Sequence, residues 1–260
     1  MKNINYGWHG RPAVISGGTS GIGLAAAEKL LLDGAQVFVL GRSRERGMQA
    51  VEYLKEQTGG EAVYISCDVG NAESCQKAAI DIKARLLGKA LDILINSAGV
   101  YQEMRLENIT EEDYSYIMDI NLKGTVFLTK SMYPLLRDNF EGAPCIVNIA
   151  SDAGISGNYG CPIYCASKGA IVSLTKALAL DMAPNVRVNC VCPADVDTPL
   201  LQNQLTPDCG YTKDDMAEAY PIGRIGKAEE IAHVVCSIAS PANSFMTGSI
   251  VAVDGGLTAK

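Results

Sequence analysis

The chain has 260 residues, 48% hydrophobic and 20% charged, a size that suits one α/β domain and buries roughly 70–75% of the unfolded surface without disulfides or a structural metal. Twenty-two Lys and Arg against 29 Asp and Glu leave a net charge of −7, which argues against nucleic acid or an anionic membrane surface as partner. The 26 Gly and 10 Pro are scattered as punctuation, which excludes a disordered low-complexity chain. Short β-branched runs alternate with longer periodic segments. A strand at Ala13–Ile15 leads to a helix over Gly21–Asp33, a strand at Val37–Leu40 to a helix over Ser43–Thr58, and a strand at Ala62–Ser66 to a helix over Asn71–Leu87. A strand at Leu91–Asn96 precedes one long helix from Glu111 to Arg137, and a strand at Cys145–Ile149 precedes a helix over Tyr164–Met182. The strand Arg187–Cys192, a helix over Lys227–Ser240 and a strand at Ile250–Val253 follow. Gly34 and Gly88 mark helix ends as left-handed caps. Strands without polar alternation are buried on both faces, so the pattern predicts a doubly wound α/β fold, a parallel sheet of about seven strands with helices on both faces. No repeat or linker divides it, and residues 1–260 read as one domain. The one long irregular stretch, Pro193–Gly226, has the length of a lid or binding loop.

Nine cysteines with no apolar leader in residues 1–11 point to a reducing compartment, so a cytoplasmic protein is expected. Cys190 and Cys192, like Cys161 and Cys165, lack the spacing of a zinc knuckle, and His9 and His233 lie far from both pairs. Buried free thiols are therefore expected, and no metal. No apolar stretch reaches the roughly 18–20 residues of a bilayer span. The Asn108-Ile109-Thr110 sequon is read as uninformative.

Ser16-Gly17-Gly18-Thr19-Ser20-Gly21-Ile22-Gly23 follows the first strand and opens the first helix. Gly21, Gly23 and Ala26 meet the looser dinucleotide fingerprint, in which glycine lets the backbone approach a pyrophosphate at a helix N-terminus. The bland alternative is a glycine-rich turn without a ligand. About 20 residues on, where an NAD site carries an acid for the ribose 2′-hydroxyl, the chain has Gly41-Arg42-Ser43. A guanidinium suits a 2′-phosphate by charge and by its fork of donors. Arg42 and Ser43 are therefore expected to hold NADP(H), with NAD(H) second; a solvated arginine at a helix start is the alternative.

Tyr164-Cys165-Ala166-Ser167-Lys168 sets a phenol and an ammonium on one helix face, with Ser151 at the end of the preceding strand. An unperturbed phenol titrates at about 10, too high for a base at neutral pH. A neighbouring ammonium and a positive nicotinamide ring both favour the phenolate. Tyr164 exchanging a hydroxyl proton, Lys168 lowering its pKa and Ser151 fixing the substrate oxygen would suit hydride transfer. Taken singly, Tyr164 is equally a core residue and Lys168 a surface cation.

Together with Cys67-Asp68-Val69, Asn96-Ser97-Ala98-Gly99, Asp119-Ile120-Asn121-Leu122-Lys123-Gly124 and Val253-Asp254-Gly255-Gly256, these motifs run in order from about Pro12 to Leu257. The chain resembles the short-chain dehydrogenase/reductase family. The resemblance implies a Rossmann-type catalytic domain and a tetrad of Asn121, Ser151, Tyr164 and Lys168, with Asn121 kinking its helix and anchoring a water in a proton relay through Lys168. It implies cofactor contacts from Ser16, Gly17, Ser20, Gly21, Ile22 and Gly23, with Asp68 and Val69 bordering the adenine and Asn96, Ala98 and Gly99 on the cofactor floor. Tyr164 and Lys168 would hold the nicotinamide ribose, and Pro193, Val196 and Thr198 the nicotinamide end. Three positions depart from the family pattern: Ser16 replaces Thr, Ser97 replaces Asn and Ala194 replaces Gly. A homotetramer, or a homodimer, is implied as well.

The resemblance also places Asp152–Ile163 and a lid of about 194–226 around the substrate, with Ser151, Asp152, Asn158, Tyr164 and Leu200 as contacts. Leu200, Leu201, Leu205, Tyr211, Met216 and Tyr220 beside Asp208, Asp214 and Asp215 make that lid amphipathic. A small-molecule secondary alcohol on an apolar ring system, such as a hydroxysteroid or bile acid, is the first expectation. Asp152 and Asn158 serve a sugar or polyol equally, although an aspartate there also caps turns. A 3-oxoacyl thioester reductase is the enzymatic rival and would want a basic entrance. A non-catalytic NADP-binding regulator is the reading from another class, and the four catalytic groups speak against it.

Overall fold

The computed structural model describes residues 6–139, 142–205 and 210–259. The first half runs β1 (Pro12–Ser16), α1 (Gly21–Leu32), β2 (Gln36–Gly41), α2 (Arg44–Thr58), β3 (Ala62–Ser66), α3 (Ala72–Arg85), β4 (Ile93–Asn96), α4 (Glu111–Met118) and α5 (Gly124–Arg137). It continues with β5 (Cys145–Ile149), α6 (Pro162–Met182), β6 (Arg187–Pro193), β7 (Val196–Asp197), α7 (Pro199–Gln202), α8 (Lys213–Ala217), β8 (Gly226–Lys227), α9 (Ala228–Ala239) and β9 (Ile250–Val253). Short-range signals start several helices: Ser43 and Asn71 accept from the N–H of Arg46 and Ser74, and Thr110 forms a capping box with Asp113.

Seven strands form one parallel sheet in the order β3-β2-β1-β4-β5-β6-β9. The chain winds outward from β1 to β3, returns to β4 on the other side of β1, and winds outward again. The order therefore reverses between β1 and β4, and a crevice opens at their carboxyl ends. Side chains alternate across the sheet. Ala13, Ile15, Val37, Val39, Ile93 and Ile95 meet the layer of α1 and α9, whereas Val14, Phe38, Leu40 and Leu94 meet that of α3 and α5. Burying one such side chain fully is worth about 1.5–3 kcal/mol, so both layers oppose a one-residue slip in any of these strands.

Three features differ from the sequence reading. The single helix expected over Glu111–Arg137 is two, joined by a π-turn at Asp119–Lys123. The bulge contains Asn121, where the resemblance implies a kink, and Asn121 is buried there. The stretch expected to be irregular, Pro193–Gly226, has a stem, because β7 and β8 pair in parallel at its two ends. It also carries α7 and α8, whose four and five residues are too short to show a period. Finally, α6 has 21 residues and a mean hydropathy of 1.2, enough by length and composition to cross a bilayer, although no such stretch is expected from its broken apolar runs. In the fold it lies along β6, and its buried face includes Ser167, Lys168 and Thr175.

The β6 edge of the sheet depends on one buried cation. Arg187 donates to the carbonyls of Ile238 (3.2 Å), Ala239 (2.6 Å), Ser240 (3.2 Å) and Met246 (3.2 Å), closing the C-terminus of α9. Replacing Arg187 with Leu takes the side-chain donor from the Ile238 and Ala239 carbonyls, at about 1–3 kcal/mol for each that stays buried, whereas Ser240 O keeps Asn243 N and Met246 O keeps Asn189 Nδ2. The expected result is a loss of about 3 kcal/mol or more in unfolding free energy. Urea unfolding followed by the fluorescence of Trp8, the single and fully buried tryptophan, checks it; an unchanged midpoint would contradict this account of the α9 cap.

Candidate active site

From β1 the chain enters the glycine turn. A Cβ on Gly17 would lie 2.9 Å from the Ala98 backbone, and one on Gly23 would lie 2.4 Å from the Gly17 carbonyl oxygen. Only bare backbone closes the turn against β4 and α1 at these two points. Behind it, Ser16 Oγ accepts from the N–H groups of Ser97 and Ala98, both at 3.2 Å. Ser16 is buried there, so its hydroxyl shapes the turn instead of facing the crevice. Ser20, the N-cap of α1, makes no side-chain cap bond, and the first helical turn carries no acid. The leading N–H groups are thus left for an anion. This cradle fits the pyrophosphate of a dinucleotide.

At the neighbouring end of β2, the Thr19 side chain sits 2.9 Å from where a Gly41 Cβ would be, so the turn and the β2 end meet. Arg42 and Ser43 follow there, both exposed, and among the described residues none forms an ion pair with Arg42. Ser43 Oγ accepts from Arg46 N, which leaves its own proton free to donate. Asp68 is exposed on the same rim and accepts from Gly70 N, whereas Val69 is buried beneath Gly124. Asn96 departs from its expected place on the cofactor floor. Its side chain donates into the interior, to Thr129 Oγ1 at 3.0 Å and Asn148 Oδ1 at 2.8 Å, and the floor of the cleft is formed by Ser97, Ala98 and Gly99.

Two of the four tetrad side chains, Asn121 and Lys168, meet at Gly99. Asn121, in the π-turn, accepts from Val100 N at 2.8 Å and donates to Val100 O and Ser167 Oγ, both at 3.0 Å. Its amide clamps the loop after β4 to α6. A Cβ on Gly99 would lie 3.4 Å from both Asn121 Oδ1 and Lys168 Nζ, so the absence of a side chain brings them together. Lys168 is buried and donates to Ile149 O at 3.0 Å, and burial pushes its pKa down to about 8. Its Nζ lies 5.6 Å from the centre of the Tyr164 ring.

Tyr164 is raised above the ordinary phenol value, first by burial and then by the negative surroundings of Asp152, Cys161 and Asp195; a hydrogen bond from Ser151 acts the other way. Burial is the largest influence on Tyr164 here, and the Lys168 ammonium is turned to the Ile149 carbonyl. Ser151 has one proton and two claimants. It donates to Asp152 Oδ1 at 2.7 Å and accepts from Ala153 N, so it must turn to donate to Tyr164 or to a substrate oxygen. The edge of Tyr101 packs on Tyr164, with ring centroids 4.9 Å apart.

The crevice widens into a cavity of about 500 Å³ lined by Ser151, Asp152, Asn158, Tyr164, Lys168, Pro193, Val196, Thr198 and Leu200, as expected, and by Tyr101, Glu103, Asp195 and Tyr211. Gly17, Ser20, Gly21 and Ile22 line its cofactor end, whereas Gly23 packs behind. Asp195 is held by Tyr220, whose hydroxyl donates to Oδ2 at 2.6 Å and accepts from Asp195 N at 3.1 Å. Burial raises the Asp195 pKa, the Tyr220 bond lowers it and Asp152 raises it further. Leu201 and Met216 line the lid side with Leu200; Tyr220 does so only indirectly, and Leu205 is not on the lining. Asp215 caps α8, and Asp208 lies outside the described residues. Sequence reasoning missed Asp195 and Tyr101, which no short motif connects to the tetrad.

A family model described as Enoyl-(Acyl carrier protein) reductase matches residues 17–258. The chain is 36% identical over 256 residues to an uncharacterized oxidoreductase of Thermotoga maritima, covering 97% of this chain and 99% of the relative. It is 31% identical to the 3-oxoacyl-[acyl-carrier-protein] reductase FabG of Chlamydia trachomatis, over 95% of this chain and 97% of that protein. Among solved structures it is similar to the ligand-free aldohexose dehydrogenase of Thermoplasma acidophilum, with a TM-score of 0.85, 30% identity, and coverage of 97% of this chain and 95% of that one.

Proposed function

The chain belongs to the short-chain dehydrogenase/reductase family, and on that footing we propose that it moves hydride between NADP(H) and the secondary alcohol or ketone of a small, uncharged polyhydroxylated molecule. One observation carries the substrate class. The polar groups around the far end of the cavity are Glu103, Asp152, Asn158, Asp195, Gln204, Tyr159 and Tyr211, and among the described residues Lys168 is the only Lys or Arg on the lining. Acceptors in that number match the hydroxyls of a sugar or polyol and leave an anion without a partner. The aldohexose dehydrogenase named above agrees in kind. An acyl-carrier arm carries a phosphate and, among the described lining residues, would find no cation beyond the buried Lys168. A hydroxysteroid is the second reading, favoured by Leu200, Leu201, Met216 and Ala219 on the lid side.

The glycine turn would hold the cofactor's pyrophosphate, with Arg42 and Ser43 for a 2′-phosphate, and the cofactor would supply or take up the hydride. The remaining work falls to the side chains. Tyr164 is protonated at neutral pH because burial raises its pKa, so it is ready to give its proton to a substrate carbonyl oxygen. Ser151, turned from Asp152, donates to the same oxygen and stabilises its developing charge. Lys168 and the Asn121 clamp hold the proton path beneath Tyr164. We place the enzyme in the cytoplasm, in keeping with its free thiols, and as a homotetramer, in keeping with the exposed Leu180 and Phe245.

A panel of aldohexoses, polyols and hydroxysteroids offered with NADP⁺, read by nicotinamide absorbance, tests the substrate class. Polyol turnover is expected, and Asp195→Asn should raise KM for the polyol about tenfold with little change in kcat, as loss of a ground-state contact does. Turnover of steroids alone would overturn the polyol reading.

A further inference from the structure

Two thiols flank Tyr164 at the head of α6. Cys161 is the N-cap residue and Cys165 lies one turn on; their sulfurs are 3.7 Å apart. Both share one acceptor, the carbonyl of Asn158, at 3.8 and 3.9 Å. Residues four apart on a helix are separated by about 6 Å along its axis, inside the roughly 4.4–6.8 Å that a disulfide spans between Cα atoms. Cys161 is also free of helical backbone angles (φ −141°, ψ 50°), so its side chain is not bound to the helical direction. Cys165 is partly exposed, whereas Cys161 is buried behind it. A second close pair, Cys190 and Cys192, has its sulfurs 3.9 Å apart, but both residues are sealed in β6.

We propose that Cys161 and Cys165 are a modification site, a dithiol that closes to a disulfide under a peroxide and reopens under a thiol reductant. The partly exposed Cys165 sulfur attacks one peroxide oxygen as its thiolate, the O–O bond breaks, and a sulfenic acid forms as the other oxygen leaves and takes up a proton to become water or an alcohol. The Cys161 sulfur then attacks the sulfenic sulfur, the S–O bond breaks, and its hydroxide leaves with the Cys161 proton as water. Two thiols are oxidised to one disulfide and one peroxide is reduced. Burial pushes the Cys161 thiol up to about 12, so the first attack falls to Cys165, and the sulfenic sulfur then lies beside Cys161.

The bond has two routes to the site. Both thiols lose their donation to the Asn158 carbonyl, and Asn158 Nδ2 is the donor that holds Asp152 Oδ2, at 3.3 Å, with Ser151 on the other oxygen. Cys161 also neighbours Tyr101, whose ring packs on Tyr164. Closing the sulfurs to about 2.05 Å therefore shifts both Ser151 and Tyr164. This consequence rests on the catalytic reading above; the disulfide itself does not.

The full-length protein, reduced and then treated with hydrogen peroxide, is read by peptide mass mapping and by turnover. The expected result is a Cys161–Cys165 cross-linked peptide, a loss of turnover of about 10²-fold and recovery with dithiothreitol. Cys165→Ser and Cys161→Ser should each keep the turnover of the reduced protein and lose its peroxide sensitivity. Mapping that finds no such cross-link, or one at Cys190 and Cys192 instead, overturns the proposal. Serine variants as sensitive as the parent overturn the link to activity. If the cross-link forms in a protein that turns over no substrate when reduced, the modification stands and the catalytic reading fails.

Discussion

Tyr164→Phe is expected to lower turnover about 10³-fold while leaving NADPH affinity within about twofold, since the lost hydroxyl moves a proton and general acid catalysis is worth 10²–10⁴. The ring, its edge contact with Tyr101 and its place over Lys168 all survive the substitution. Stopped turnover with intact binding, measured by nicotinamide fluorescence, separates proton transfer from packing; parallel losses of both would assign Tyr164 a structural role. The same geometry sets a pH dependence. Tyr164 is raised above the ordinary phenol value near 10, so its protonated form persists through neutral pH and is lost only above that value. Ketone reduction, which uses the phenol, should be flat from pH 6 to about 9 with respect to this group. Alcohol oxidation, which uses the phenolate, should rise about tenfold per pH unit over the same range. A reduction rate that falls between pH 6 and 8 would show a phenol already ionising there. Lys168 loses its charge as pH rises through about 8, and Lys168→Met should remove any inflection in that region while preserving the slope from Tyr164.

How much of this was readable depends on distance along the chain. The strands and helices were legible because their periods are local, and the ends of β3, β5 and β9 coincide with their apolar runs. Tyr164 and Lys168 were legible because four residues on a helix share a face. The glycine turn was legible because close approach leaves only one residue type at Gly17 and Gly23. What failed is what local pattern does not encode. The side chain of Asn96 leaves the end of β4 toward Thr129 and Asn148, 33 and 52 residues away, and nothing in residues 96–99 states that direction. Asp195 becomes a cavity wall only through Tyr220, 25 residues on, across the α7 and α8 excursion. The π-turn at Asp119–Lys123 falls at Asn121, where the resemblance implies a kink, but apolar periodicity alone reads one helix through it. The sign at Tyr164 is likewise not local: sequence proximity to Lys168 suggests a depressed phenol, whereas in the fold Nζ donates to the Ile149 carbonyl and burial is the largest influence on the phenol.

Arg42→Asp is expected to weaken NADPH binding about 10²-fold and to change NADH binding by less than about threefold, inverting or erasing the cofactor preference. The cleft itself supplies the pyrophosphate cradle, and that part is common to both cofactors, so discrimination has to come from the β2 end. There Arg42 is exposed and without an ionic partner among the described residues, while the Ser43 hydroxyl, accepting from Arg46 N, keeps its proton for an acceptor. A 2′-phosphate answers both groups, and a bare 2′-hydroxyl answers neither strongly. The carboxylate of the variant would repel the phosphate and accept from the hydroxyl, so the two affinities should move apart. Because the site is open to solvent, the NADPH advantage proposed for the parent should shrink as salt rises from about 0.05 M to 0.5 M, and the NADH affinity should barely respond. Titrations of nicotinamide fluorescence at both salt concentrations read the four affinities directly. Equal losses for NADPH and NADH would place Arg42 among the solvated arginines, and the choice of cofactor would have to be sought elsewhere on the rim, with Thr19 and Asp68 the nearest groups to test.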